Sequence, residues 1–431
     1  TTHIVTQQEI FNEYSSGMRD PVAIRHFLKM FYDRANGDET QLPKYVILMG
    51  DATYDYRNKF NSNANHVISY QTNESLNPIT RFASDDFYVI LNDNATMANN
   101  ELMDMAIGRF PVKNQEEAMA MVNKVIRYET NNSATNSACF NCNSAENNSI
   151  YGDWRNRIVL ISDDADNNHY FNDIEDMHNR VKSQHEEINV IKIHSDATVE
   201  TVTPGGERNF GAEQSIKDNV QNGALMVNYI GHGGETGWAH ESILTVPTIQ
   251  NWTNSVKMPV FMTATCEFSR YDDHDRTSAG EFVVLNENGG GIALFTTTRL
   301  VFSSSNSALT RIFYDTIFDK LNGVPKTFGQ IYNHTKNKYA LSNGDVEFRK
   351  FTLLGDPVIQ LAQPHNEIRT DSVNGISISI FNDTLKALSK VRISGQVVDF
   401  MGNELNNFNG VVYPTIYDKE SQLTTLANSP G

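Results

Sequence analysis

The stretch "VNYIGHGGETGWAHE", residues Val227 to Glu241, decides how the chain folds. An apolar run that begins at Ala224 ends there in Gly-His-Gly-Gly, which is typical of a buried strand followed by a loop at a sheet edge. A second apolar run, "MPVFMTATC", ends at Cys266, 34 residues after His232. That spacing leaves room for one crossover between neighbouring parallel strands. The pattern predicts that both strands end at one edge, where open α/β sheets bind ligands.

A thiol and an imidazole at adjacent strand ends are the groups of a cysteine nucleophile and its base. An imidazolium neighbour lowers a cysteine pKa from its usual value of about 8.5. We therefore predict that Cys266 is the nucleophile, largely thiolate near neutral pH, and that His232 is the base. Gly231, Gly233 and Gly234 let the backbone approach a substrate closely. The backbone N–H groups of Gly233 and Cys266 are predicted to form an oxyanion hole.

Two other interpretations of these residues stay open. Either residue alone is more often structural: a histidine in a loop, or a cysteine that acts as a small buried hydrophobic group. A zinc site formed by His232, Glu235, His240 and Cys266 is conceivable, but it lacks the tight paired spacing of zinc ligands. A dinucleotide loop is excluded, because Thr236 stands where the third glycine is required. The combined pattern favours catalysis.

The rest of the chain alternates predicted strands with predicted helices. The first clear helix begins at Pro21 after the capping residue Asp20, and the first buried strand is "KYVILMGD". The segment "DDFYVIL" is predicted to be a further strand. This alternation is typical of βαβ units. We therefore predict an α/β protein with mostly parallel sheets and flanking helices.

Composition divides the chain into three predicted parts. Residues 130–149 are rich in Asn and Ser and poor in apolar residues, so we interpret them as a linker. We expect an N-terminal α/β subdomain over 1–149 and a catalytic subdomain over 150–365. Over 366–431 the short alternating runs are typical of the start of an Ig-like β-sandwich. The opening "THIVTQQEIF" reads as a strand end that runs into a helix, so we expect the chain to begin inside a domain.

The composition also bears on partners and chemistry. The net charge of −17 over 431 residues argues against a nucleic-acid partner, because phosphate binding needs clustered Lys and Arg. An acidic chain also suits calcium binding. No run approaches the roughly 20 apolar residues of a membrane span. Cys139 and Cys142 form a C-x-x-C within the linker, which we interpret as a local disulfide or two unreactive thiols.

The motifs resemble those of a known family. "YIGHGGETGW" and "MTATC" resemble the His and Cys motifs of the gingipain-type cysteine peptidases, which share a caspase-like fold. "PKYVILMGDATYDYRNK", "MAIGRFPVKNQEEA" and "LLGDPVIQL" agree with the same family. The resemblance covers roughly Ile4 to Leu361. It is strongest to the branch that serves type IX secretion in Bacteroidetes, whose members are C-terminal signal peptidases or sortases.

This resemblance implies a set of catalytic residues. His232 is the implied base and Cys266 the implied nucleophile of a thioester mechanism. In gingipains a Glu that follows an earlier strand orients the histidine. Here "LISDDADN" offers Asp163, Asp164 and Asp166 in that region, and Asp164 is the expected third residue. The alternative is that these acids are solvated loop residues or calcium ligands.

The resemblance further implies a substrate, partners and a location. The implied substrates are secreted cargo proteins with C-terminal signal domains. Water would resolve the thioester as hydrolysis, and an amine of lipopolysaccharide would resolve it as transpeptidation. The implied partners are other outer-membrane components of type IX secretion, on the extracellular side of the bacterial outer membrane. The chemistry needs no cofactor, but gingipain-type folds carry structural calcium, for which Asp85 and Asp86 are candidate ligands.

Loop residues around the strand ends are candidates for substrate binding. Trp238 follows the histidine, and Arg299 and Phe302 follow the strand after Cys266. The alternatives are that Trp238 belongs to the core and that Arg299 pairs with a carboxylate. Two alternative functions also stay open: a secreted endopeptidase that cleaves after basic residues, and a non-catalytic surface scaffold with a relic peptidase fold.

Overall fold

The structure is a computed structural model of the 431-residue chain. It describes residues 2–38, 40–60, 66–74, 76–94, 96–98, 100–132, 152–364, 366–386, 388–409, 412, 416 and 421–426. Cys139 and Cys142 lie outside the described residues, so their interpretation stays a prediction. Of the predicted linker, residues 130–132 complete a helix and the remainder also lies outside the described part.

The described residues form helices and strands that alternate along much of the chain. The helices are α1 (Gln7–Tyr14), α2 (Pro21–Ala35), α3 (Gln115–Asn132), α4 (His169–Gln184), α5 (Phe210–Asn222), α6 (Val246–Gln250), α7 (Ala279–Leu285), α8 (Ser303–Tyr314) and α9 (Phe328–Ser342). The strands are β1 (Tyr45–Met49), β2 (Tyr70–Gln71), β3 (Ala83–Ser84), β4 (Ala106–Phe110), β5 (Arg157–Ser162), β6 (Asn189–His194), β7 (Thr201–Thr203), β8 (Gly206–Arg208), β9 (Met226–Ile230), β10 (Gly233–Gly234), β11 (Gly237–Trp238), β12 (Leu244–Thr245), β13 (Val260–Ala264), β14 (Ala293–Thr297), β15 (Lys320–Leu321), β16 (Val324–Pro325), β17 (Phe351–Gly355), β18 (Glu367–Val373), β19 (Ile376–Ser377) and β20 (Ile393–Val398).

One eight-stranded sheet organises the molecule. Its strand order is β1-β4-β17-β14-β13-β9-β5-β6. Six of the seven neighbouring pairs are parallel, and only β14 and β17 run antiparallel. The sheet therefore consists of two parallel blocks that meet at β14 and β17. The prediction of a mixed α/β protein with a mostly parallel sheet is confirmed, whereas the predicted domain boundaries stay a prediction.

Strand β9 is buried on both faces. Its alternate side chains enter two different core clusters: Met226 and Ile230 pack on the face covered by α4 and α8, and Val227 and Tyr229 pack on the other face. All four are at most 1% exposed. A strand buried on both faces reads as a continuous apolar run in the sequence, which is why this element could be predicted.

Two predicted elements in the N-terminal part have different outcomes. The helix prediction at Asp20 and Pro21 is confirmed, because Asp20 accepts a hydrogen bond from the Val22 N–H and caps α2. The strand prediction for "DDFYVIL" is wrong, since Asp85–Val89 form a 3₁₀ turn. A strand would send successive side chains to opposite faces. The turn instead allows both carboxylates at its start to reach buried cations.

The C-terminal residues form a separate small sheet. Strands β18, β19 and β20 pair antiparallel in the order β19-β18-β20. The predicted runs "GISISIF" and "KVRISGQVVD" contribute β19 and β20. Most of the third predicted run, "GVVYPTIYD", lies outside the described residues. The antiparallel pairing agrees with the predicted pattern, and the Ig-like assignment stays a prediction.

Candidate active site

His232 and Cys266 occupy equivalent positions on two neighbouring strands. Strands β9 and β13 pair in parallel, and Ile230 is the register partner of Ala264. His232 and Cys266 each follow two residues later. Neighbouring strands lie about 4.8 Å apart, so the two chains leave the sheet side by side at its carboxyl edge. The sequence prediction that the two strands are adjacent is confirmed.

The glycines around His232 allow the two loops to pack together. A Cβ on Gly233 would lie 2.6 Å from the Thr265 Oγ1 atom, directly before Cys266. A Cβ on Gly231 would lie 2.4 Å from both the Asp163 Cβ and the Tyr229 hydroxyl oxygen. Any side chain at either position would separate the histidine loop from its neighbours. The oxyanion role of the Gly233 and Cys266 N–H groups stays a prediction.

Backbone hydrogen bonds fix the position of His232. Its N–H donates to the Asp163 Oδ2 atom at 2.7 Å. Its carbonyl oxygen accepts from the Tyr229 hydroxyl at 2.5 Å and from the Ala239 N–H at 2.9 Å. The ring of Tyr170 lies perpendicular to the imidazole, with centroids 5.5 Å apart. The imidazole remains 37% exposed, so it is both fixed in place and accessible to a substrate.

Asp166, rather than the expected Asp164, contacts the His232 ring. The Asp166 Oδ2 atom lies 3.3 Å from His232 Nε2 and also accepts a 2.7 Å hydrogen bond from the Tyr170 hydroxyl. Asp166, Asn167 and Asn168 have φ angles of 59°, 52° and 65°. This left-handed turn brings the carboxylate to the ring. Asp and Asn tolerate the left-handed conformation better than most residues, so the sequence "DNN" was the available signal.

Asp164 belongs to a buried group of acids behind the histidine loop. Ligand atoms of Asp163, Asp164 and Glu241 lie within 4.8 Å of one another, so these three residues are placed where they could hold a metal ion. The carboxyl group of Asp164 also lies beside that of Glu200. Burial and the neighbouring Asp164 raise the pKa of Glu200 to about 8. The expected role of Asp164 in orienting the imidazole is therefore corrected, because its carboxyl group faces other acids.

The Cys266 thiol is free and partly buried. Its Sγ atom lies 3.7 Å from the Val301 carbonyl oxygen, to which the S–H donates. Burial raises the pKa of the thiol, and the charges of Glu267 and Glu347 act in the same direction. These effects act against the thiolate that is expected from the sequence near neutral pH, and that expectation stays a prediction. A thiol in these surroundings would transfer its proton to His232 as the sulfur attacks.

The three candidates for substrate contact lie in different surroundings. Trp238 is 0% exposed and stacks on Tyr229 with centroids 4.4 Å apart, so its indole belongs to the core. Arg299 is buried and its guanidinium donates two hydrogen bonds to Asp272, so it is a structural ion pair. Both outcomes match the alternatives that the sequence left open. Phe302 is 52% exposed and remains a candidate.

Asp85 and Asp86 do not form a calcium site. Asp85 accepts two hydrogen bonds from the Arg109 guanidinium, at 2.7 and 2.8 Å. Asp86 lies 2.6 Å from the Lys336 ammonium and 3.3 Å from the Arg349 guanidinium. The calcium prediction at these residues is wrong, because buried cationic side chains already neutralise both carboxylates. Distant parts of the chain supply these cations.

The four side chains of the alternative zinc site are not gathered into a set of metal ligands. Glu235 binds Arg270 at 2.6 Å and Arg276 at 2.5 Å. In the part of the chain that the structure describes, neither group with three clustered potential ligands includes His232 or Cys266. The arrangement at the two strand ends therefore suits a nucleophile with its base rather than a metal centre.

The profile of peptidase family C25 matches residues 1–362. The chain belongs to this family of cysteine peptidases. The match spans the whole eight-stranded sheet and both strand-end motifs. A comparison with curated protein sequences found no significant match.

Solved structures of gingipains share the fold of this C25 peptidase. The Arg-specific cysteine proteinase gingipain R (RgpB) aligns with a TM-score of 0.59 and 18% identity, over 83% of this chain and 73% of that chain. The complex of the pro- and mature domains of RgpB from Porphyromonas gingivalis gives 0.58 and 19%, over 83% and 74%. Dimeric latent PorU from the same organism gives 0.46 and 21%, over 94% of this chain and 32% of PorU. The chain thus spans about a third of PorU.

Two residues contact the His232 ring in ways that the sequence did not predict: Tyr170 had no predicted role, and His240 was considered only as a zinc ligand. Tyr170 in α4 positions Asp166 through its hydroxyl and contacts the imidazole with its ring. His240 lies parallel to His232, with ring centroids 5.4 Å apart. Tyr170 follows Asp166 by four residues, and this spacing was a possible signal. The position of His240 depends on the turn between β11 and β12, which the sequence does not specify.

Proposed function

We propose that this C25 peptidase cleaves the C-terminal signal domain from secreted cargo proteins by acyl transfer through Cys266. The observation that carries the proposal is the delivery of His232 and Cys266 from register-matched positions of β9 and β13. The resemblance of "YIGHGGETGW", "MAIGRFPV" and "LLGDPVIQL" to the type IX secretion branch supports the choice of substrate. The extracellular face of the outer membrane is the corresponding site of action.

The reaction proceeds in two halves. His232 accepts the thiol proton while the sulfur attacks the carbonyl carbon of the scissile bond. Backbone N–H groups, proposed to be those of Gly233 and Cys266, bind the developing oxyanion. His232 then donates its proton to the leaving amine, and a thioester remains on Cys266. Water or an amine of lipopolysaccharide attacks the thioester, and the thiol is released with the proton returned through His232.

Asp166 acts in this scheme as a positioning residue. Its negative charge at 3.3 Å stabilises the imidazolium that forms when His232 takes the thiol proton. Tyr170 holds the carboxylate through its hydroxyl, and burial together with Asp166 raises the pKa of that hydroxyl, so it remains a donor. Because Asp166 is 50% exposed, its contribution is smaller than that of a buried triad carboxylate.

Replacing Asp166 by Asn is expected to lower kcat by about 10- to 100-fold with little change in KM. The physical reason is that the amide keeps its size but loses the charge that stabilises the imidazolium. Asp164→Asn is the matched control, and it is expected to change kcat by less than about threefold, since its partner is Glu200. Asp166→Glu should recover part of the rate. Steady-state kinetics with the Asp164 variant impaired and the Asp166 variant unimpaired would restore the assignment made from sequence.

The substrate class is tested with two sets of peptides. One set spans the junction between a cargo protein and its C-terminal signal domain, and the other carries Arg or Lys before the scissile bond. We expect cleavage of the junction peptides, without a general preference for basic residues. Preferential cleavage after Arg or Lys would instead establish the secreted endopeptidase. Failure of both sets, with no acyl adduct on Cys266 by mass spectrometry, would leave the scaffold interpretation.

The fate of the thioester is read from the same reactions. Glucosamine added as a model sugar amine competes with water for the acyl group. A product heavier than the hydrolysed peptide by one amine adduct would support transpeptidation. Its absence at high amine concentration would restrict the proposal to hydrolysis.

A further inference from the structure

A pocket of about 460 Å³ lies beside His232. The loop between β9 and α6 forms it, and β10, β11 and β12 give the loop a small antiparallel sheet. Its lining includes the buried residues Trp238 and Leu244 together with His232, His240 and Ser242. The pocket is therefore built on a hydrogen-bonded framework rather than on an irregular loop.

The position of the pocket assigns it to one side of the reaction. All the residues that line it belong to residues 232–247, and Cys266 is not among them. Of the two proposed catalytic residues, His232 therefore borders the pocket and Cys266 does not. In the proposed mechanism His232 donates its proton to the amine that leaves. The segment that follows the scissile bond must therefore pass along the His232 side of the site, where the pocket lies.

The chemistry of the pocket suits an uncharged side chain. Among the described residues that line it, none is Asp, Glu, Lys or Arg. Glu235 belongs to the same loop, but its carboxylate binds Arg270 and Arg276 outside the pocket. A lysine or arginine side chain would lose water there without gaining a countercharge, which is unfavourable.

We propose that this pocket binds the side chain of the residue directly after the scissile bond and selects an uncharged one. The proposal rests on the proposed function, because it uses the proton transfer from His232 to the leaving amine. The pocket adds a determinant of specificity for the peptide segment that leaves after cleavage. Its preference does not depend on the residue that precedes the scissile bond.

Three substitutions change the pocket in different ways. Gly234→Leu fills it, since a Cβ at Gly234 meets no atom within 4 Å and the backbone there is not left-handed. His240→Ala enlarges it by removing one wall. Ser242→Asp adds a negative charge at a residue with φ of 53°, a conformation that Asp tolerates.

The experiment compares peptides that are identical before the scissile bond and carry Ala, Leu or Lys after it. We expect the parent protein to prefer Ala and Leu over Lys by about tenfold or more in kcat/KM. Gly234→Leu should lower the Leu-to-Ala ratio and His240→Ala should raise it. Ser242→Asp should raise the Lys-to-Leu ratio by about tenfold. Ser183→Asp, on the exposed end of α4, is the matched charge control and should leave all ratios unchanged.

Two outcomes separate failure of this inference from failure of the proposed function. If the parent protein forms no acyl adduct on Cys266 with any peptide, the proposed function fails. If the adduct forms but the three variants leave the ratios unchanged, the inference is overturned. A second peptide set varies only the residue before the bond. The inference is also overturned if the variants change the preference at that position, since the pocket would then bind the acyl side.

Discussion

Replacing Cys266 by Ala is expected to abolish peptide cleavage while the protein remains folded. The Cys266 sulfur is the nucleophile of the proposed mechanism. Without it, His232 has no thiol from which to take a proton. Loss of a nucleophile that acts together with its base typically lowers kcat by about 10⁴-fold or more. The side chain is only partly buried and makes one 3.7 Å hydrogen bond, so the melting temperature should stay within about 3 °C.

The measurement pairs a cleavage assay with differential scanning calorimetry. Ser304→Ala is the matched control, because it removes one heteroatom from an exposed residue at the start of α8. This control should cleave the junction peptide at the parent rate. Full cleavage by the Cys266→Ala protein would end the case for a thioester mechanism. A large fall in melting temperature would mean that the residue is structural.

The strand-end pair could be predicted because its signals are local. Each strand reads as an apolar run, because both of its faces are buried, and each run stops at a polar or glycine residue. Alternation adds a second cue: residues 226, 228 and 230 lead in phase to His232, and residues 260, 262 and 264 lead to Cys266. Both residues consequently emerge toward the face covered by α4 and α8.

The third residue could not be predicted from such patterns. The sequence placed three acids after β5 within four positions. Which one reaches the imidazole depends on the left-handed turn at Asp166 to Asn168, and turn geometry decides contacts that composition cannot. In the structure, Asp163 accepts a hydrogen bond from the His232 N–H, and Asp164 lies beside Glu200. Asp166 contacts the imidazole of His232.

The calcium prediction at Asp85 and Asp86 failed for a different reason. Their partners are far away in sequence: Arg109 lies in β4, Lys336 in α9 and Arg349 in a 3₁₀ turn before β17. Two adjacent acids in a loop resemble a cation site when these partners are not known. Only the packing of α9 against β4 brings a lysine to the carboxylate.

This arrangement predicts the largest effect on stability. Asp86, Lys336 and Arg349 are all 0% exposed, and Asp86 also accepts a 2.8 Å hydrogen bond from Tyr332. Asp86→Ala would leave two buried cationic side chains without their shared countercharge. Breaking a buried ion pair in this way costs about 3–5 kcal/mol, which corresponds to a fall in melting temperature of about 10 °C.

Urea unfolding of the Asp86→Ala protein checks the prediction, with Asp33→Ala as the matched control. Asp33 also pairs with a lysine, Lys29 at 2.7 Å, but it is 57% exposed. Its loss should cost less than about 1 kcal/mol, since water screens an exposed pair.

Burial lowers the pKa of Lys336 to about 8 even beside Asp86. Without Asp86 this pKa falls further, so the lysine of the variant loses its proton at a lower pH than that of the parent. The stability that the variant has lost relative to the parent should therefore shrink as the pH rises toward 8. Equal losses in the free energy of unfolding for the two Asp variants would contradict the large contribution expected from this buried ion pair.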